Sequence, residues 1–509
     1  MHRFTLALVL LLASAQAALA QTPRASEFRI VFDESVNTAP YTGRVYLALA
    51  RNARIEPRLQ LVNWVSPVQV LAIDVKDVPP GGSVTISSTS LAFPRTFADL
   101  EPGVYTAQAI IRRSLDSPHP GQGKGDVHSE AARIRLDRDD GLPFDLVLNQ
   151  AATELPLPPA ANAHVFEMRS ALLSEFHGRD VNVRASITLP DEWHSQADRV
   201  WPTMISIGGF GSDHRDGIFT SQIIDRSLDG PRRFLVISPD PSCGFGHCVF
   251  ADSENTGPWG RMLVEEMLPA IDKQFRGGGP ATRHVTGVSS GGWASLWLVV
   301  NYPEQFAACW SHVPDPVDFR DFQRIDLYAP GANMYRDEKG DRRPLARNDG
   351  GVMLWYDDFV RRESVIGRGG QIGSFEAVFS PRGADGLPRP LFDRATGAVD
   401  PVTAKSWEKY DIRLIIEHGW EGAGGKPGLR ERLKGRINIF AGGRDNFYLE
   451  GAAEKLKAAL AQLGSDAVVE IDPGMNHTYS STGRERMIEA LQVAGGAPPR
   501  KAKQETDGD

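Results

Sequence analysis

Cysteine is nearly absent, with three residues in 509, which leaves room for one disulfide at most. A metal site built on Cys243, His247 and Cys248 lacks a fourth ligand nearby, so no metal centre is expected. Basic runs interleaved with aromatics are missing, and the net charge of −8 opposes a polyanion, which argues against nucleic acid as a partner. After the first twenty residues no stretch is long and apolar enough to span a bilayer. What remains is a chain of ordinary globular composition, 41% apolar and 24% charged, and long enough for more than one domain.

The start is different. Met1-His2-Arg3, an apolar stretch from Phe4 to Ala13 and the small-residue site Ala18-Leu19-Ala20 make a secretory signal over residues 1–20. No cysteine follows the cleavage site, so a lipid anchor is not indicated, and a periplasmic or secreted protein is expected. In that compartment Cys243 and Cys248, separated by the flexible Gly244-Phe245-Gly246-His247, are expected to pair as a disulfide. Cys309 reads as a small buried hydrophobe.

From residue 21 to 155 short alternating runs are broken by Pro79-Pro80-Gly81-Gly82 and Glu101-Pro102-Gly103. Phe28–Phe32, Val45–Ala50, Leu59–Val65, Val68–Val75, Val84–Ser88 and Val104–Ile111 read as strands of an antiparallel β-sandwich. Ser114–Ser129 reads as a long mobile loop. No acid–base or metal set clusters here. A stiff Leu155-Pro156-Leu157-Pro158-Pro159 boundary follows, and residues 160–494 change rhythm. An opening hairpin (His164–Leu173, Val181–Leu189) leads into alternating strands and helices, the signature of a mostly parallel, doubly wound sheet. Residues 331–428 interrupt that rhythm with charged, Gly-rich and Trp-bearing pieces and read as an insertion. The tail, 495–509, is polar and expected to be disordered.

The chemistry centres on Arg283–Trp293. A β-branched run enters Gly287-Val288-Ser289-Ser290-Gly291, and an apolar helical segment follows at once. This is the pattern of a nucleophile elbow, in which a sharp strand-to-helix turn lifts the serine oxygen above the sheet edge. Serine needs a base, and the base needs an orienting carboxylate, supplied in the order Ser, acid, His from loops after later strands. Asp445 follows the strand Arg436–Ala441, and His477 follows Val468–Ile471. Asp315 and Asp318, after the strand ending near Val313, compete for the role of acid. Asp445 is preferred because a tight Gly442-Gly443 turn holds it, whereas Pro314 and Pro316 are expected to turn Asp315 outward. The oxyanion donors are expected to be the backbone N–H of Ser290 and one from Ile207-Gly208-Gly209-Phe210-Gly211, Phe210 first and Gly209 next. His214, His247, His312 and His418 read as structural or solvated.

Residues His164 to Ala494 resemble the putative-esterase branch of the α/β-hydrolases. The resemblance rests on Gly287–Gly292, Asn301-Tyr302-Pro303-Glu304-Gln305-Phe306, Asn255-Thr256-Gly257-Pro258-Trp259, Gly443-Arg444-Asp445 and Met475-Asn476-His477. It implies an α/β-hydrolase fold behind the β-sandwich, with Ser289 as nucleophile, His477 as base and Asp445 as acid, acting without a cofactor on small-molecule or polymer-linked esters. Two departures stand out: no His-Gly-Gly-Gly loop after the third strand, and the long excursion at 331–428. Acyl transfer through the same acyl-enzyme, and a non-catalytic binding protein on this scaffold, are the alternatives. Oligomeric state is unreadable.

Overall fold

A computed structural model describes residues 22–499 apart from 52–53, 62, 65, 140 and 425–426. The signal segment lies outside the described residues, as does most of the tail. By internal contacts the chain divides into two compact units. One runs to Leu155 and takes in Arg361–Gly369; the other holds Pro156–Val360 and the residues from Gly370 onward.

In the first unit, nine strands among the described residues form one sheet. Alternation drives it: Phe28, Ile30 and Phe32 face inward along Arg24–Phe32 and meet Val45, Leu47, Leu71, Ile134 and Leu148 in a common core. Ala132–Leu136 pairs with both Gly103–Ile111 and Arg24–Phe32, so the pairings close a circuit around that core. The expected all-antiparallel arrangement is corrected at the first strand, which runs parallel to Ala132–Leu136 and to Leu142–Ala151. The described residues within 59–65 form no strand; Pro57 opens a short 3-10 turn at Pro57–Gln60, and the Arg58 N–H donates to Gln108. The loop before Val127 is not loose either. Asp126, fully buried, accepts from the N–H groups of Arg113, Ser114, Gly121 and Gly123 and ties the loop together. Arg361–Gly369 completes this unit from far along the chain. Val365 and Ile366 pack on Tyr46, Val70 and Ile110, and the Tyr46 hydroxyl donates to the Ile366 carbonyl at 2.7 Å.

The second unit is mixed α/β. Its eight-stranded sheet consists of β1 Ala163–Arg169, β2 Asn182–Thr188, β3 Thr203–Ile207, β4 Leu235–Pro239, β5 Arg283–Val288, β6 Ala308–His312, β7 Ile437–Gly442 and β8 Val468–Asp472. The strand order is β1-β2-β4-β3-β5-β6-β7-β8. Only β2 is antiparallel to its neighbours; from β4 to β8 every pairing is parallel. Strands β3 and β4 are buried along their whole length, as expected of strands covered on both faces. Between β1 and β2 the chain forms a helix, Ala171–His177, where an extended run as far as Leu173 and then a hairpin turn were expected. Ser170 caps its first turn, and Gly178, at φ 63°, ends it.

Helix α1 (Asp216–Arg226) follows β3, α2 (Leu268–Phe275) precedes β5, and α3 (Ser290–Asn301) leaves the elbow. The 331–428 region contributes a hairpin, Pro344–Asn348 with Gly351–Trp355, and then α4 (Gln371–Phe379). Phe379 of α4 packs 5.1 Å from Trp293 of α3 and 5.1 Å from Trp407, so this part of the region is a packed aromatic layer and not a loose excursion. Helices α5 (Glu450–Gln462) and α6 (Ser481–Ala494) finish the unit. No helix of the described residues is long and apolar enough to cross a membrane.

Candidate active site

Strand β5 ends at Val288 and α3 begins at Ser290, leaving a single residue to make the turn. Ser289 adopts φ 57° and ψ −123°, a region that costs a non-glycine residue about 1–3 kcal/mol. Surrounding bonds hold it there: its N–H donates to the His312 carbonyl at 3.1 Å, and its carbonyl accepts from Trp293 at 2.9 Å. The two glycines of the motif have no room for a side chain. A Cβ on Gly287 would lie 2.1 Å from the Gly291 carbonyl oxygen, and one on Gly291 would lie 2.1 Å from that of Ile207. Backbone fills these places, so no rotamer change relieves the clash.

Strands β7 and β8 present the second half of the site. Gly443 donates to the Asp472 carbonyl at 2.7 Å and Arg444 to that of Met475 at 3.0 Å, which clamps the two loops after these strands together. Asp445 is buried, and its Oδ2 lies 2.8 Å from His477 Nδ1; its Oδ1 accepts from the Phe447 N–H at 2.8 Å. A carboxylate facing Nδ1 places the proton on that nitrogen, so Nε2 of the neutral ring is the acceptor. The His477 N–H donates to Asn446 Oδ1 at 3.0 Å, and the Phe447 ring stands edge-on to the imidazole at 4.9 Å. Asp445 does not cap the following helix: α5 is preceded by Leu449, with no side-chain cap.

The other two carboxylates part company. Asp318 is fully buried, caps a short 3-10 turn and pairs with Arg320 at 2.6 Å and Arg413 at 2.9 Å, which removes it from the site. Asp315 departs from expectation. Its prolines do not turn it outward; it is buried and accepts from the Ser289 hydroxyl at 3.2 Å and the Ser290 hydroxyl at 2.5 Å. Burial raises its carboxyl to about 6, against the lowering effects of Ser290, His477 and Ser289.

The loop after β3 lies against the elbow. The direction of a Cβ on Gly209 points to Ser289 Cβ, 3.3 Å away, while the Gly209 carbonyl accepts from Ser212 at 3.0 Å. Ser290 is buried at the start of α3. Three histidines that looked isolated in sequence are buried and bonded. His214 Nδ1 lies 3.0 Å from Asp240, His312 Nδ1 accepts from the Ser480 N–H at 3.2 Å, and His247 Nε2 lies 3.0 Å from the Gly208 carbonyl oxygen. His418, in the last turn of helix Ile412–Gly419, is exposed.

Cys243 and Cys248 form no disulfide, contrary to expectation; both are buried thiols, as is Cys309. The spacer that looked flexible is a fixed hairpin pairing Cys243 with Gly246, and the Cys248 sulfur accepts from the Phe250 N–H at 3.4 Å. Burial pushes the Cys248 thiol well up and Cys309 to about 12. Among the described residues no group of histidine, cysteine or acidic side chains is arranged to hold a metal ion. An open pocket of about 610 Å³ lies at the far end of α3 from Ser289, lined by Phe176, Asp252, Trp297, Tyr302 and Tyr410. The Tyr302 hydroxyl donates to the Asp252 carboxylate and that of Tyr410 to the Asp252 carbonyl, so these polar groups satisfy one another.

Residues 174–383 match the family model described as putative esterase. That segment is similar to the putative esterases. It runs from the helix after β1 through the elbow into α4. Among solved structures the chain is similar to a ferulic acid esterase, at 10% identity over 65% of this chain and 99% of the other, with a TM-score of 0.38. It is similar to a fluorophosphonate-binding serine hydrolase F of Staphylococcus aureus at 12% identity, over 66% and 99% of the two chains, TM-score 0.38. A third is an S-formylglutathione hydrolase from Agrobacterium tumefaciens, 16% identical over 67% and 97%, TM-score 0.37. No curated protein matches the chain.

Proposed function

We propose that this chain is an exported serine carboxylic-ester hydrolase, built on an α/β-hydrolase fold behind an N-terminal β-sandwich-like module. The observation that carries the reading is the Asp445–His477 pair at 2.8 Å, set past the ends of β7 and β8 in the same parallel sheet whose β5 ends at the strained Ser289. In this reading His477 Nε2 takes the Ser289 hydroxyl proton as Oγ bonds to the ester carbonyl carbon, and the carbonyl π electrons move onto oxygen. The oxyanion accepts from the Ser290 N–H and from the Gly209 or Phe210 N–H. As the tetrahedral species collapses, the C–O bond to the alcohol breaks and the imidazolium gives that oxygen its proton. Water, deprotonated by the same imidazole, then cleaves the acyl-enzyme and restores Ser289. Asp445 holds the tautomer and stabilises the imidazolium throughout. Export rests on residues 1–20.

A fluorophosphonate probe tests the reading. It should label Ser289 in the wild type and leave Ser289→Ala unlabelled. The variant should lose on the order of 10⁶ in kcat on a hydrolysed ester while keeping its melting temperature, since the elbow depends on its glycines and not on the hydroxyl. Absence of wild-type labelling, or labelling elsewhere, rejects the assignment.

A further inference from the structure

We propose that His247 is a positioning residue that aims the second oxyanion donor, and that Ser374, from the 331–428 region, holds His247 in place. The inference rests on the esterase reading above and adds a part that neither the elbow nor the triad contains. The Gly208 carbonyl accepts from the His247 Nε2–H at 3.0 Å. The other ring nitrogen, Nδ1, accepts from the Val249 N–H at 3.0 Å. One nitrogen must therefore carry a proton and the other a lone pair, so the ring is neutral with its tautomer fixed by both partners. Complete burial agrees, lowering the imidazole to about 4, so His247 donates unchanged across the neutral range.

The consequence passes through one peptide group. Because a trans peptide is planar, the Gly208 carbonyl and the Gly209 N–H point in opposite directions. Drawing the carbonyl toward His247 turns the Gly209 N–H to the opposite side of the loop, and Gly209 is the residue whose Cβ direction meets Ser289 at 3.3 Å. In this proposal Gly209, whose backbone lies against Ser289, is the donor in place of Phe210. A Gly-rich loop has no side chain of its own to fix this peptide, so a buried donor from outside supplies the constraint.

His247 is itself over-determined. Its N–H donates to Ser374 Oγ at 3.1 Å, and the Ser374 hydroxyl donates to the His247 carbonyl at 3.0 Å. Gly246 has no room for a Cβ, which would lie 2.6 Å from that of Ser374. Immediately after the ring, Val249 and Phe250 take φ 46° and 48°, a conformation a β-branched residue rarely accepts. Strain placed where Val249 must present its N–H to His247 is what a fixed ring requires. Helix α4 thus reaches the loop after β3 through a short, continuous chain of bonds: Ser374, His247, Gly208, Gly209.

Two near-isosteric variants separate this role from general support. His247→Gln keeps an N–H near the Nε2 position and loses the acceptor for Val249; His247→Asn keeps an acceptor near Nδ1 and loses the bond to Gly208. His247→Asn should lose about 10²-fold in kcat with KM within about threefold, as for a missing oxyanion donor. His247→Gln should retain kcat within about tenfold, with the pH profile unmoved in both. Inhibition by a trifluoromethyl ketone, whose adduct carries the oxyanion, should weaken in parallel with kcat/KM. Ser374→Ala should cost a few-fold alone and nothing further on top of His247→Asn, because the two act in series. The reverse order, Asn active and Gln impaired, or equal loss in both with a matching fall in melting temperature, overturns the proposal in favour of loop support. Ser374→Ala, which removes only a hydroxyl, decides the matter if both His247 variants fail to fold: unchanged kcat and ketone affinity reject it. A wild type that hydrolyses no ester and takes no fluorophosphonate rejects the esterase reading first, and this inference with it.

Discussion

The Ser289 hydroxyl donates to Asp315 at 3.2 Å, while the other oxygen of the same carboxylate accepts from Ser290 at 2.5 Å. A second buried carboxylate therefore touches the residue proposed as nucleophile, in addition to the one that holds His477. Its raised carboxyl has a definite consequence for stability. A group whose folded-state pKa lies above its unfolded value stabilises fully below the unfolded value, near 3.8, and loses that contribution as pH rises through about 6. Asp315→Asn removes the penalty while keeping an acceptor and a donor, either of which a serine hydroxyl can meet. The variant should match the wild type in melting temperature near pH 4 and exceed it above pH 6, by a margin on the order of 2–3 kcal/mol. Its kcat at pH 7 should stay within about tenfold. A variant that melts below the wild type at pH 8 would show that the charged hydrogen bonds outweigh desolvation.

Asp445 and Asp318 should fail in different ways. Asp445→Asn faces His477 Nδ1 with a group that can stabilise the wrong tautomer, so kcat should fall by about 10⁴ with KM little changed. Asp318→Asn removes the charge that the buried Arg413 shares with Arg320 and leaves Arg413 paired with Glu417 alone, so the expected loss is about 1–3 kcal/mol of stability. The folded fraction of that variant should turn over normally. Kinetics at a temperature well below both melting points separates the two cases, and a large kcat loss at Asp318 reverses the assignment.

What the sequence made legible follows from where the deciding forces are local. Short apolar runs set off by turn residues made the strand–helix rhythm of the second sheet legible, and the Gly-x-Ser-x-Gly turn placed Ser289, because these signals are written in adjacent residues. His477 and Asp445 were reached through topology, as residues just past strand ends, and the structure brings them within 2.8 Å. Asp315 was misplaced because local proline chemistry suggested an outward turn, whereas a tertiary bond from its N–H to the Ser289 carbonyl, 3.2 Å long, turns the loop inward. The first turn of the helix Ala171–His177 reads as the end of an extended run to Leu173 for a similar reason. Glu266, ninety-six positions beyond Ser170, accepts from the Ser170 hydroxyl at 2.5 Å and from the first N–H groups of that helix. Nor could any local pattern assign Arg361–Gly369 to the first unit, where the Tyr46 hydroxyl lies 320 residues from the carbonyl it bonds.

The cysteines give a chemical count. All three are buried thiols, so the unreduced protein should resist an alkylating reagent while native and take up three equivalents once denatured. High thiol pKa values at Cys248 and Cys309 reinforce the slow native reaction. One equivalent in place of three would mean that Cys243 and Cys248 oxidise to a disulfide and that the hairpin Ser242–His247 rearranges to allow it.

Asn446 links the 331–428 region to the proposed base and acid. Its Nδ2 donates to the Arg347 carbonyl at 2.8 Å, its Oδ1 accepts from the His477 N–H, and its own carbonyl accepts from the Arg347 N–H at 2.8 Å. Arg347 in turn donates through Nε to the Asp445 carbonyl at 2.9 Å and pairs with Glu450 at 2.6 Å. Truncating Asn446 frees the His477 N–H and one edge of the hairpin strand, but leaves the Asp445–His477 bond itself untouched. Small misplacements of a reacting group cost far more in rate than in binding, with about 1 Å costing on the order of 10²-fold. Asn446→Ala should therefore lower kcat by about 10- to 100-fold with KM within about threefold. Asn446→Asp should recover part of the loss, since a carboxylate oxygen still accepts from His477. If Asn446→Ala turns over within twofold of wild type, the hairpin supports the chain without holding the imidazole, and the Gly443–Asp472 and Arg444–Met475 bonds position it unaided.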